Sequence, residues 1–304
     1  MFGFFIFFFC AQLWAQDISS FFSPSHHVGQ LSMENLIQPK VESESREETK
    51  MVNSRLDAQY NIKTEKFDYL IGANYRHLDF DNNIKINRDY YQYQGSLGVK
   101  KHLSNNRFWL TTLSYGTASD RPFKNANDDT ISANFIKKTS DKWFFVLNYS
   151  NNRVFLNNIP FPGFFYVKEA TREKMTIFGL PFFLFVRQYG DWSFKYLGFL
   201  PWTHQARVSF VKFFWIRPYL GFEQGVMNFF RHDRENLDHR VFFFQRKIGT
   251  GVEMFLTKQL KLDTFIGHSF DTEIFEAKNF NDKKFNTIKF ENSMFLETKL
   301  VLSF

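Results

Sequence analysis

Cysteine and proline are both scarce, one and eight respectively in 304 residues. No apolar run past the N-terminal segment is long enough for a membrane helix. The longest, Met175 to Val186, is about twelve residues, carries Pro181 and is bounded by Lys174 and Arg187, whereas a spanning helix needs about 20. That excludes a helical membrane protein. The lone Cys10 cannot form an internal disulfide, and cleavage after Ala15 leaves a chain with no thiol chemistry at all. Clustered basic residues are missing too: the formal charge is +7, but Lys and Arg are scattered, which argues against a nucleic-acid partner.

Met1 to Ala15 is a short apolar stretch, Phe2-Gly3-Phe4-Phe5-Ile6-Phe7-Phe8-Phe9 followed by Leu13-Trp14-Ala15. Its length and the small residue before the break read as a cleaved secretory signal, although no Lys or Arg precedes it. Phe9 is too bulky for a lipidation site at Cys10. Aromatic residues make up 20% of the chain, 43 of them Phe, yet the mean hydropathy is only -0.34. A transmembrane β-barrel accounts for both, because apolar side chains face lipid while polar ones face the lumen. Codon bias raises a phenylalanine count without placing aromatics at alternate positions.

Alternation is what the middle of the chain shows. Phe67, Tyr69, Ile71, Ala73 and Tyr75 alternate with Lys66, Asp68, Gly72, Asn74 and Arg76. Strands are predicted over 67–80, 90–102, 107–117, 130–139, 142–151, 173–188, 192–200, 204–212, 216–230, 240–256, 260–276 and 287–304. This is an all-β, antiparallel up-and-down barrel of about twelve strands, with about fourteen as the fallback, since single-chain bacterial barrels have even counts. Counted back from Phe304, short turns and longer loops alternate and Phe67 opens the first strand. Met51 to Lys63 also alternates and is left as an additional, inward-folded or edge-covering strand. Residues 1–15 are read as signal, 16–50 as a flexible periplasmic segment and 51–304 as the barrel. The His26-His27 pair in that segment lacks further ligands, so no metal or cofactor is expected.

The C-terminal strand places Leu296, Leu300, Leu302 and Phe304 on one face, and Glu297, Lys299 and Ser303 on the other. It resembles the closing signal of bacterial outer-membrane barrels, which implies the barrel assembly machinery as a partner alongside outer-membrane lipids. A second resemblance rests on Asn158-Ile159-Pro160-Phe161-Pro162-Gly163-Phe164-Phe165-Tyr166 and Phe178-Gly179-Leu180-Pro181-Phe182. Here the chain resembles a family of outer-membrane barrels classified only as a domain of unknown function, which implies a fold and a location and no activity. Two prolines and a glycine make a stiff apolar loop at Pro160, Pro162, Gly163 and Phe164, read as a plug at the barrel mouth in preference to a contact for a hydrophobic ligand. Pro181 inside a predicted strand marks a bulge.

Inward parity gives candidate lumen charges: Arg76, Lys100, Lys195, Arg207, Arg217, Glu223, Lys261, Asp263, Asp271, Glu273, Glu291, Glu297 and Lys299. Their mixed signs suit mutual pairing or a hydrated interior rather than a ring selective for one sign. His268 and Ser269 are adjacent and face opposite sides of a strand, so no nucleophile-base pair, and no catalytic residue, is assigned. The expectation is a narrow outer-membrane pore or channel for small or hydrophobic solutes. A structural or surface-interaction barrel with a closed lumen is the alternative, and an outer-membrane lipid hydrolase comes third. Oligomeric state is not legible.

Overall fold

The computed structural model describes residues 28–43, 48–81, 89–104, 107–154, 156–171, 173–180, 182–199, 202–282 and 284–304. The expected signal segment, Cys10, His26-His27 and Pro181 lie outside them. Alternating polarity commits this sequence to strands with one apolar and one mostly polar face, and seventeen form: β1 (Gly29–Glu42), β2 (Glu48–Lys63), β3 (Phe67–Phe80), β4 (Asp89–His102), β5 (Phe108–Ser119), β6 (Asp129–Lys138), β7 (Trp143–Ser150), β8 (Phe161–Ala170), β9 (Lys174–Leu180), β10 (Phe182–Tyr189), β11 (Trp192–Phe199), β12 (Thr203–Phe210), β13 (Ile216–Phe229), β14 (Arg240–Phe255), β15 (Leu260–Ala277), β16 (Phe285–Phe290) and β17 (Ser293–Ser303).

Every ladder is antiparallel, and each strand pairs with its neighbours in sequence except β16 and β17, which both pair with β15. β16 and β17 lie end to end along β15, at Thr272↔Phe290 and Ser269↔Ser293, and act as one stave. β1 pairs with β2 on one edge (Met33↔Leu56) and with β17 on the other (Met33↔Leu300), which closes the sheet into a ring of sixteen staves. Closure leaves no free edge around the wall.

The ring is larger than the twelve or fourteen strands expected, for identifiable reasons. Residues 29–42, assigned to a flexible segment, are β1. Leu31, Met33 and Ile37 face out, while Ser32, Glu34 and Gln38 are buried inside. Pro39 is accommodated by a register shift between Gln38 and Val41. Residues 48–63 form β2. The barrel therefore begins at Gly29, ahead of the expected 51.

The Pro160 loop is also corrected. Pro162, Gly163 and Phe164 stand in the wall as part of β8, opposite Leu147, Val146 and Phe145. β9 reaches β8 only from Phe164 onwards, so Pro162 has no ladder on that side to break. Pro160 is exposed at the start of the strand and plugs nothing. The predicted 173–188 strand is two strands, β9 and β10, folded back so that Phe178 meets Phe183. Parity survived these omissions because the extra strands come as hairpin pairs.

Val28 and Phe304 meet at the short-turn end, where Gly29 N–H donates to Phe304 O at 2.8 Å. Along the inner wall, Tyr219 lies flat over Gly251. A Cβ there would sit 2.2 Å from the tyrosine ring, and the phenol reaches Asp263 at 2.6 Å. Gly251→Ala is expected to displace Tyr219 and cost about 1–3 kcal/mol, read from denaturant unfolding; Tyr219→Phe in that background should add little, because the hydrogen bond is already lost.

Candidate channel lumen

The inner wall from β12 round to β3 carries a charged network. Arg207 pairs with Asp263 at 2.8 Å and lies near Glu223 at 3.8 Å. Lys247 bridges Glu223 at 2.9 Å and also Glu297. Glu253 holds Lys261 at 3.1 Å and Arg217 at 3.7 Å. Lys299 pairs with Glu34 at 3.6 Å, and Arg55 with Asp57 at 2.8 Å. These groups meet because strand register sets them side by side. One row along the hydrogen-bond direction reads Arg217, Glu253, Asp263, Lys299, Glu34, Arg55, Arg76, Gln92. Neighbours in such a row are within reach of one another.

Of the charges expected in the lumen, Arg217, Glu223, Lys261, Asp263, Glu297 and Lys299 belong to this network, and Arg76 extends its row. Lys100 sits apart on β4, buried 3.7 Å from Asp68 and 4.7 Å from the centre of the Phe108 ring. Asp271 and Glu273 do not belong. Asp271 has φ +49° and is the extra residue of a bulge where β14 advances from Phe244 to Arg246 while β15 runs back from Glu273 to Phe270. The bulge flips the phase of β15, so Asp271 is exposed and pairs with Arg246 at 2.5 Å. Glu291 is exposed as well.

The opposite part of the wall, β5 to β11, is lined differently. Leu110, Ile136, Phe144, Phe165, Ile177, Leu184 and Leu197 pack into one buried apolar cluster. Charge fills one side of the interior and hydrocarbon the other.

The loop-side end is crossed by protein. β5 and β13 stand on opposite sides of the ring, yet Phe230 N–H donates to Ala118 O at 2.7 Å and Asp120 N–H to Phe230 O at 3.3 Å. The ends of β13, β14 and β15 therefore lean across the ring. Residues 240–245 of β14 are buried on both faces as a result. Phe243 and Val241 pack on one side with Phe80, Phe229, Ile274 and Phe290. Phe242 and Phe244 pack on the other with Val154, Phe199, Trp202, Phe275 and Phe280. This partition is held by polar clamps from the 230–239 connection. Asp120 accepts from His232 N–H at 2.9 Å and pairs with its Nδ1 at 2.5 Å. Arg234 pairs with Asp128 at 2.6 Å, with both side chains almost wholly buried. Arg240 donates to Asn151 O at 2.8 Å.

No known family profile matches the sequence, and no curated protein aligns with it. Among solved structures the chain is similar to the outer membrane protein Omp33 of Acinetobacter baumannii, at 8% identity over 91% of this chain and 98% of that one, TM-score 0.40. It is similar to the toluene transporter TodX of Pseudomonas putida at 9% identity over 94% and 92%, TM-score 0.37. For the outer membrane protein opdK of Pseudomonas aeruginosa the values are 8%, 91% and 98%, TM-score 0.38. Similarity this low carries no inference about what this chain does.

The clamp residues Asp120, Asp128, His232 and Arg234 had no signal in the sequence, because each pair joins positions more than a hundred residues apart. His268 and Ser269 do face opposite sides: His268 is exposed, and the Ser269 hydroxyl lies inside with Gln38 at 2.5 Å and Ser293 at 2.9 Å. Among the described residues, two clusters bring potential metal-ligating atoms together, His77 with Asp79 and Asp89, and Asp120 with His232 and Asp233. In both, the histidine already bonds a carboxylate.

Proposed function

We propose that the chain is an outer-membrane channel, closed at its loop-side mouth in the form described. The observation that carries this reading is a closed ring whose outer face is apolar and whose inner face carries the charged network. Leu97, Leu113, Leu220 and Ile248 are each more than half exposed along the outer wall. In water such a belt is a large liability; in lipid it is the required surface. Tyr60, Tyr69, Trp143, Tyr189, Trp192 and Trp215 ring the short-turn end, while Tyr93, Tyr115 and Phe123 stand toward the loop end, all exposed. Aromatics at both interfaces are the pattern of outer-membrane barrels. Leu300, Leu302 and Phe304 lie on this outer face beside β1, where assembly machinery has access to them. The resemblance carried by residues 158–166 and 178–182 agrees in fold and location.

Sixteen staves are enough for an aqueous channel. Passage then requires the β13–β14 end to withdraw from β5, and the two linings suit small polar and hydrophobic solutes respectively. In a planar bilayer the purified protein should give stepwise conductance. The partition favours a second reading, a structural barrel with a permanently closed lumen; silence from both the wild type and a clamp-broken variant would support it over the channel.

The membrane assignment has its own test. Ile248→Arg places a guanidinium on the outer belt and should cost about 2–4 kcal/mol in a lipid-embedded barrel. At a water-exposed site the same change is worth about 0.5 kcal/mol or less. Equilibrium unfolding from lipid vesicles separates the two.

A further inference from the structure

The register of β2 and β3 sets Arg55 directly opposite Arg76, and both are buried inside the ring at 2% and 6% exposure. Like charges in opposite positions destabilise a ladder, and a buried guanidinium without a partner costs more. Arg55 is answered by Asp57, which also accepts from the Asn74 side chain. Arg76 has no direct partner, and Glu34, Asp57 and Glu297 act on it only from beyond ion-pair range. Among the described residues it makes no hydrogen bond and has no carboxylate in ion-pair range, and its Nε is buried without a partner. Every other cation of the network, from Arg207 round to Arg55, has a carboxylate in ion-pair range, Arg217 and Lys261 sharing Glu253.

The charge count agrees. Arg207, Arg217, Lys247, Lys261, Lys299, Arg55 and Arg76 face Glu223, Glu253, Asp263, Glu297, Glu34 and Asp57, which leaves one positive charge over. On its other side in the row Arg76 meets Gln92, a residue 4% exposed. Donors from three adjacent strands thus stand side by side in the row, and none of the described residues accepts a hydrogen bond from Arg76.

We propose that Arg76, supported by Arg55 and Gln92, binds a small oxyanion inside the lumen. The planar fork of a guanidinium takes two oxygens of a carboxylate or a phosphate side by side, the chemistry that a point charge lacks. The site lies within the lumen of the proposed channel and so names a class of solute for it, but occupancy does not depend on conduction.

The full chain in detergent micelles tests this by thermal unfolding and titration calorimetry with sodium acetate and with sodium phosphate, each at fixed ionic strength against chloride. At least one oxyanion should bind saturably and raise the midpoint, and the better of the two identifies the geometry preferred. Arg76→Gln should weaken binding by roughly tenfold or more. Without oxyanion, the same variant should unfold at a higher temperature than the wild type, because it removes a buried unpaired charge. Arg76→Lys should keep a weakened response. Midpoints identical in acetate, phosphate and chloride would overturn the proposal, as would undiminished binding by Arg76→Gln. Conductance on the same preparations keeps the two readings apart: binding without current sinks the channel alone, and current without binding sinks only the anion site.

Discussion

Arg234→Ala lowers the stability of the barrel by about 3–5 kcal/mol, the cost of stranding one partner of a buried ion pair, and raises the open fraction in a planar bilayer. The stranded partner is Asp128, whose side chain has no exposure. Arg234 also donates to the backbone oxygens of Arg231 at 2.7 Å and Leu237 at 3.2 Å, and its guanidinium lies 4.9 Å from the centre of the Phe230 ring. One side chain therefore ties the 230–239 connection to itself and to the wall across the ring. The double variant Asp128→Leu with Arg234→Met separates stability from gating. With neither charge left buried, most of the lost stability should return. A drop in stability for Arg234→Ala with no change in current would show that the clamp is not the barrier.

The second large effect is expected at Phe243. Its ring is 2% exposed and lies 6.4 Å from Phe80, a residue of β3, a strand that no ladder joins to β14. Phe80 in turn stacks on Phe290 at 6.3 Å. Phe243→Ala empties the middle of this bridge, with an expected loss of about 3–5 kcal/mol. The measurement is the urea midpoint in vesicles. A small apolar solute trapped in the same vesicles should escape faster, because the cavity opens in the apolar part of the closure while the clamps stay intact. Phe243→Leu, which keeps most of the volume, should restore both. An unchanged urea midpoint would mean that the cluster does not bridge the ring.

Legibility followed the range of the interaction. β3, β4 and β5 were readable because each side chain's face depends only on its place in a two-residue period, and Tyr69, Ile71, Leu97 and Leu113 do face outward. The face of Glu297 and Lys299 was readable for the same reason. β1 was not, since Pro39 disguised a strand whose pairing with β17 joins the first and last strands of the ring. β9 and β10 merged into one predicted strand because no polar residue marks the reversal between Leu180 and Phe182. β8 was taken for a loop because Pro162 and Gly163 are poor strand formers; only the missing neighbour on one side makes them harmless there.

The lumen divided in the same way. Sequence parity identified charges that point inward from β13, β15 and β17, but missed Lys247 and Glu253 of β14, and it failed at Glu291 and past Asp271, where a single bulged residue reverses the phase. By itself, then, the sequence determined an all-β chain with two-faced strands, an apolar outside and a charged inside, because these depend on periods of two residues and on composition. The tertiary structure alone decided the sixteen-stave ring, the contact of Lys247 with both Glu223 and Glu297, the lack of a direct ion pair at Arg76, and the bridge from β13 to β5. Those depend on how many strands close the ring and in what register, a condition on the whole chain at once that no local pattern carries.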